Sequence, residues 1–283
     1  MSEHRIAPKK SFSQNFLNDQ NISRKIVQVI DCQPGDIIIE IGPGTGALTE
    51  FLLKEESVTV QAIELDERAI EVLKDRFKKE EFPQFSIFEG DVRKFPLKEF
   101  AQQNEGRKIR IVGNIPYSIT SDILFWIYEH SPLIEKAVIM MQREVAQRLV
   151  SPPRTKDYGV LAVATQLAGK AKMSFNVPPS CFFPQPRVTS TVVEFTPRRD
   201  ELLKELYSPV MNVVRAAFSQ RRKKISNATE NFLKSREIDI PLIVQTAEKK
   251  GLKYFSQRAE ELTPQDFIEF EQFIRAFKND NGK

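Results

Sequence analysis

Short β-branched runs alternate with helical periodicity through the first two-thirds of this sequence, and that alternation limits the fold more than any other feature. DIIIEIG (36–42), VTVQAIEL (58–65), FSIFEGD (85–91), IRIVGN (109–114) and AVIMMQ (137–142) read as strands. GALTEFLLKE (46–55) and DERAIEVLKDRFKK (66–79) read as helices, the second with Ile70, Leu73 and Phe77 as its apolar positions. Strands separated by helices imply βαβ units and a mostly parallel sheet. RVTSTVVEFTP (187–197) alternates well enough for one more strand. Beyond about Pro197 the pattern is wholly helical, in ELLKELYSPVMNVVRAAF (201–218), IPLIVQTAEKK (240–250) and PQDFIEFEQFIRAF (264–277). The expected fold class is α/β: a doubly wound, mostly parallel, Rossmann-like sheet in residues 1–200, then a smaller all-helical domain in residues 201–283.

Composition narrows the chemistry. No run nears the ~18 apolar residues of a membrane-spanning helix, and the first residues lack the apolar segment of a secretory signal. A soluble, cytoplasmic protein is expected. The chain has two cysteines, Cys32 and Cys181, in no CxxC arrangement, and two histidines, His4 and His130. That is too little for a Cys or His metal site, so no metal is expected, and His-based catalysis has few candidates. The net charge of +4 hides an asymmetry. Residues 31–110 carry 17 acidic and 12 basic groups, whereas RAAFSQRRKK (215–224) places Arg215, Arg221, Arg222, Lys223 and Lys224 together without an acid. The basic segment suits a polyanion, although a solvated helix face would carry the same charges.

The chemistry gathers at strand ends. EIGPGTGALT (40–49) turns the first strand into a helix, and Gly42, Gly44 and Gly46 let a ligand approach the main chain. Gly42-x-Gly44-x-x-Ala47 also satisfies the loose dinucleotide fingerprint, so a nicotinamide enzyme is an alternative at this point. Glu64 ends the second strand, where a carboxylate accepts the hydroxyls of an adenosine ribose. The run Glu64-Leu65-Asp66-Glu67 would equally cap a helix through Asp66. Gly90-Asp91 offers a carboxylate for an adenine amino group, or a simple Asx-turn. Asn114-Ile115-Pro116-Tyr117 ends the fourth strand. An adenine amine is a poor nucleophile because its lone pair is delocalised into the ring. An amide oxygen on Asn114 and the Ile115 carbonyl can accept its hydrogens, Pro116 fixes the backbone, and Tyr117 gives the base a face to stack on. A dehydrogenase has no use for this tetrapeptide.

With SQNFL (13–17), EGD (89–91), FFPQPRVTS (182–190) and AAFSQRRKKISN (216–227), these pieces resemble the ribosomal RNA adenine dimethyltransferase family, most closely its small-subunit branch. The resemblance covers nearly the whole chain and implies a methyltransferase sheet with a helical C-terminal domain. It implies S-adenosylmethionine as cofactor, contacted by Asn15, Leu17, Gly42, Glu64, Asp91 and Asn114, with Gly44 and Gly46 in the same turn. Asn114, Ile115, Tyr117 and Phe182 become the catalytic set, Phe182 as second stacking face of the target adenine. Arg221, Arg222, Lys223 and Lys224 become rRNA contacts. The implied substrate is two adjacent adenosines near the 3′ end of 16S rRNA, in an immature small subunit, and the implied enzyme a monomer. NIPY stands where NLPY is more usual, a change that leaves the carbonyl at position 115 intact. The large-subunit methyltransferases of macrolide resistance share the front motifs, but FSQRRKKISN (218–227) favours the small-subunit branch. A binding factor that keeps the fold without catalysis would not need NIPY and the cofactor motifs intact.

Overall fold

The computed structural model describes Ile6 and residues 15–281. The chain separates into two compact units: one runs up to Ala146 and adds Gly169–Pro197, the other joins Gln147–Ala168 to Arg198 and beyond.

The first unit opens with β1 (Phe16–Leu17) and α1 (Gln20–Ile30). Asp19 starts α1 by accepting the N–H groups of Asn21 (2.9 Å) and Ile22 (3.1 Å), and the buried residues Ile26, Val27 and Ile30 face the core. The βαβ run follows: β2 (Ile37–Ile41), α2 (Thr49–Leu52), β3 (Thr59–Glu64), α3 (Glu67–Arg76), β4 (Phe85–Glu89), α4 (Leu97–Gln103), β5 (Ile109–Asn114), α5 (Thr120–Glu129) and β6 (Ile134–Gln142). α6 (Arg143–Leu149) and α7 (Val160–Ala168) lead to β7 (Gly169–Val177), β8 (Phe182–Phe183) and β9 (Ser190–Pro197). The main sheet is ordered β4-β3-β2-β5-β6-β9-β7, with β2 to β6 parallel to their neighbours and β9 antiparallel between β6 and β7. β1 and β8 form a separate antiparallel pair. All five residues of β2 are buried, as a strand covered on both faces requires.

This is the expected mostly parallel sheet, with differences in detail. The helix expected over 46–55 shrinks to α2, because the chain from Gly42 to Leu48 is taken up by a turn. Chain order reverses between β2 and β5, and a crevice at the carboxyl ends of such strands is where this architecture binds ligands.

The second unit consists of the 147–168 segment, α8 (Glu201–Phe218), α9 (Ile225–Ala228), α10 (Glu230–Lys234), α11 (Ile240–Lys249) and α12 (Pro264–Asn281). A boundary near 200, drawn where the pattern turns wholly helical, assigns 147–168 to the sheet domain; in the structure it groups with the C-terminal helices. The reason is its apolar content. Tyr158 is fully buried, donates its hydroxyl to the Leu262 carbonyl (2.7 Å) and packs against Phe218, while Ala162, Val163, Ala164 and Leu167 of α7 are buried. Among the described residues no helix is long and apolar enough to cross a membrane.

Candidate active site

A cavity of about 270 Å³ opens at the carboxyl ends of β2, β3, β4 and β5. Each strand delivers a sequence-selected residue to its wall: Gly42 and Gly44 after β2, Glu64 at the end of β3, Asp91 after β4, and Asn114 to Tyr117 after β5. Asn15 and Leu17, beside and within β1, complete it. Gly46 supports the turn from behind. It has φ +88°, and a Cβ there would sit 2.6 Å from the ring of Phe77, so a side chain would break the packing of α3 under the loop. Gly44 has φ +57° and lies against the Phe16 ring, which a Cβ would approach to 3.0 Å.

Glu64 and Asp66, which share one acidic run, divide the labour. Asp66 caps α3, accepting the Arg68 N–H (3.4 Å) and its guanidinium (Nη2 at 2.6 Å). Glu64 is buried at the cavity wall, where Oε2 accepts the Gly44 N–H (3.0 Å) and Oε1 those of Leu65 (2.8 Å) and Asp66 (2.9 Å). Burial pushes its carboxyl above the ordinary range, against the pull of these donors. Asp91 is held the other way. Its Oδ1 accepts the Arg93 N–H (2.9 Å) and the Arg93 guanidinium lies across both oxygens, lowering its pKa. The Asx-turn and the cavity-facing carboxylate are therefore one feature. Arg93 also reaches Asp122 (3.3 Å).

Asn114 donates Nδ2–H to the Asn15 carbonyl (2.9 Å), which leaves the amide oxygen as its acceptor end. Ile115 is buried, and Pro116 sits at φ −59°, ψ 134°. The Tyr117 hydroxyl pairs with Ser190 Oγ (2.6 Å), which fixes the ring, and burial raises its pKa. Ser190 stands in the FFPQPRVTS string without having been singled out for this role.

Two residues are engaged otherwise than the sequence suggested. Phe182, expected as a stacking face, is 2% exposed, does not line the cavity and belongs to the hydrophobic core with Leu17, its partner in the β1–β8 pair. Phe183, one residue on, is 51% exposed. Strand alternation explains the difference in exposure, since successive side chains point to opposite faces. Arg221, expected on phosphate, is engaged within its own unit: Nε donates to Glu260 Oε2 (2.8 Å), Nη1 to the Lys156 carbonyl (2.7 Å) and Nη2 to that of Thr155 (3.0 Å). Arg222, Lys223 and Lys224 are exposed.

Glu40 was not foreseen. It lines the cavity, accepts the Thr49 hydroxyl (2.6 Å) and is pushed up to about 7, first by burial and further by the charge of Glu64. An acid inside an otherwise apolar strand run, IIIEI, was the available signal. Cys181 is a buried thiol 3.6 Å from Asp19, and His130 bonds the Trp126 carbonyl at a helix end (2.8 Å), as bland roles require. His4 and the Ser13-Gln14 part of SQNFL lie outside the described residues. Among the described residues no cluster of three or more His, Cys, Asp or Glu is placed to hold a metal.

The donor set suits an adenosyl ligand carrying a cationic group: a cradle open only to glycine, carboxylates for ribose and adenine, and an acidic floor at Glu40. Residues 6–263 match the family described as Ribosomal RNA adenine dimethylase. The chain is 37% identical over 273 residues to the Ribosomal RNA small subunit methyltransferase A of Francisella tularensis subsp. novicida (strain U112), across 96% of this chain and 99% of that protein. A dimethyladenosine transferase from Plasmodium falciparum has a similar structure, with TM-score 0.75 and 26% identity over 94% of this chain and 98% of that one. The 23S rRNA methyltransferase ErmE shares the fold at TM-score 0.63 and 24% identity, over 92% of this chain and 100% of its own.

Proposed function

Because the chain belongs to the ribosomal RNA adenine dimethylase family, we propose that it dimethylates the exocyclic amines of two adjacent adenosines near the 3′ end of 16S rRNA. S-adenosylmethionine supplies the methyl group as a sulfonium, whose departure drives a direct displacement without a covalent enzyme intermediate. The whole-length likeness to a small-subunit methyltransferase supports that branch. The soluble enzyme works in the cytoplasm, as a monomer, on an immature small subunit.

The observation that carries this reading is the arrangement of Asn114 and Tyr117 beside the Glu64 wall of one cavity. Glu64 binds the ribose hydroxyls, Asp91 the adenine amine of the cofactor, and the glycine turn lets the main chain approach. Asn114, its amide oriented by Asn15, accepts a hydrogen from the target amine. The Ile115 carbonyl accepts the other, drawing the nitrogen lone pair out of conjugation. Tyr117, pinned by Ser190, gives the base its stacking face. These residues position and orient; the proton lost after transfer passes to solvent. Holding two reactants in a near-attack geometry is the main source of rate here. Arg222, Lys223 and Lys224 of the helical C-terminal domain contact rRNA.

Incubation with labelled S-adenosylmethionine and undermethylated small subunits, followed by mapping, tests this. Label on two adjacent adenosines near the 3′ end of 16S rRNA is expected. Label elsewhere on 16S rRNA, or none, overturns it.

A further inference from the structure

Arg221 joins three segments that are distant in sequence. Through Thr155, Lys156 and Glu260 it ties residues 152–157 to residues 256–261, with itself in the 219–224 turn. The same junction is closed by backbone. The Arg154 N–H donates to the Glu260 carbonyl (2.7 Å), that of Ile225 to Gln257 (2.8 Å), and Lys224 bridges Arg258. Exposed cations surround it: Arg154 and Lys156 on the first segment, Arg222, Lys223 and Lys224 on the second, Arg258 on the third. The nearby acids are mostly engaged. Glu260 holds Arg221 and Glu261 accepts the Arg258 N–H (2.6 Å), leaving Asp157 as the exposed acid of the 152–157 loop.

Arg154 adds a second observation. Its φ is +66°, a region that favours glycine, yet the position carries a long cationic side chain. Backbone strain of this kind persists where the surroundings impose it, and it is enriched at functional sites. The three segments contain no aromatic residue, and of those flanking them Tyr158, Tyr254 and Phe255 are buried while Phe218 packs on Tyr158 and Phe267, so the surface has charge but no platform for unpaired bases.

We infer that the three segments form one composite surface for RNA phosphates, with Arg221 as its internal clasp and Arg154 and Lys156 as contacts from a part of the chain far upstream of the basic run. The partner is the backbone of structured RNA, read without base specificity. This rests on the rRNA-methylating reading and extends its RNA contacts beyond residues 222–224.

The test is binding to undermethylated small subunits over a potassium chloride series at fixed magnesium, for wild type, Arg154→Gly, Lys156→Gln, the triple Arg222→Gln/Lys223→Gln/Lys224→Gln, and Arg221→Lys. Each lost phosphate contact lowers the slope of log affinity against log salt by about 0.7–0.9. Arg154→Gly and Lys156→Gln should each show that decrement, and the triple variant about three times as much. Arg154→Gly removes the charge while relieving the backbone, so its thermal midpoint should hold or rise, which separates lost contact from lost fold. Arg221→Lys keeps the charge but not the three-way fork, so its thermal midpoint and affinity should fall together; a phosphate-contacting arginine would leave the midpoint in place. Unchanged slopes for both Arg154→Gly and Lys156→Gln overturn the composite surface even if the triple variant responds. Binding slopes are read without turnover, so a failure of the methylation assay bears on the proposed reaction and not on this surface.

Discussion

Removing the Glu64 carboxylate tests whether one side chain both shapes the cavity and holds the cofactor. Its two oxygens take three backbone N–H groups, from Gly44, Leu65 and Asp66. Hydrogen bonds to a charged group are worth roughly 1.5–3 kcal/mol each in mutational series, but these do not simply add. Burial already raises the Glu64 pKa despite the donors, so part of their worth offsets the cost of keeping a carboxylate out of water. Leu65 is 52% exposed, whereas Asp66 is buried and Gly44 half-buried. Gly44 and Asp66 are left with unmatched donors, at about 1–3 kcal/mol each. Glu64→Ala should therefore destabilise the protein by about 2–4 kcal/mol, read from urea unfolding. It should also weaken S-adenosylmethionine binding by ~10²-fold, since the loss of two ribose contacts amounts to about 3 kcal/mol. Glu64→Gln restores one acceptor oxygen but turns an NH₂ group towards the remaining donors, so it should regain part of the stability and little of the affinity. Calorimetric titration of both variants at one temperature decides the matter. Wild-type affinity in Glu64→Ala, with no shift in urea midpoint, would refute the reasoning.

Glu40, whose carboxyl is pushed up from 4.5 to about 7, binds its proton more tightly folded than unfolded. Its stabilising share is full below about pH 4.5 and is lost as pH rises through about 7, a change of about 3 kcal/mol. Wild-type urea midpoints should decline over that window more steeply than those of Glu40→Gln, and parallel curves would sink the assignment. Phe182→Ala should cost about 3–5 kcal/mol as a core truncation, whereas Phe183→Ala should stay within about 1 kcal/mol; the reverse order in thermal unfolding would mean that the two rings are exchanged. Tyr117→Phe and Ser190→Ala should each slow single-turnover methylation while sparing cofactor affinity, and the double variant should be little worse than either. Additive losses would show that the two hydroxyls act separately.

Much of the site was legible because it lies at the ends of buried parallel strands, where an acid, an amide or a glycine cannot pass as surface decoration. Glu64 and Asn114 each end such a run, and Asp91 follows the edge strand β4 by two residues. Long-range engagement was not legible. Arg221 looked like one more cation in RRKK, and its acceptors include main-chain carbonyls of Lys156 and Thr155, which carry no sequence signal. β7 escaped notice because GKAKMSFNV is an edge strand dotted with lysine, the composition that keeps an edge from pairing further. The burial of Phe182 turned on a strand of two residues, too short to show any period.

The β1–β8 pair has a consequence for the order in which this protein is made. Phe16, the ring that covers Gly44, is synthesised long before Phe183, the partner that holds its strand. A nascent chain that has just extruded β5 already owns the glycine turn, Glu64, Asp91 and Asn114, but nothing to fasten β1 over them. Contacts between such distant parts of a chain form late, because loop closure must precede them. The wall that β1 gives the cavity is therefore fastened only once β8 has been made, so the glycine turn, Glu64, Asp91 and Asn114 wait for a partner synthesised well after them.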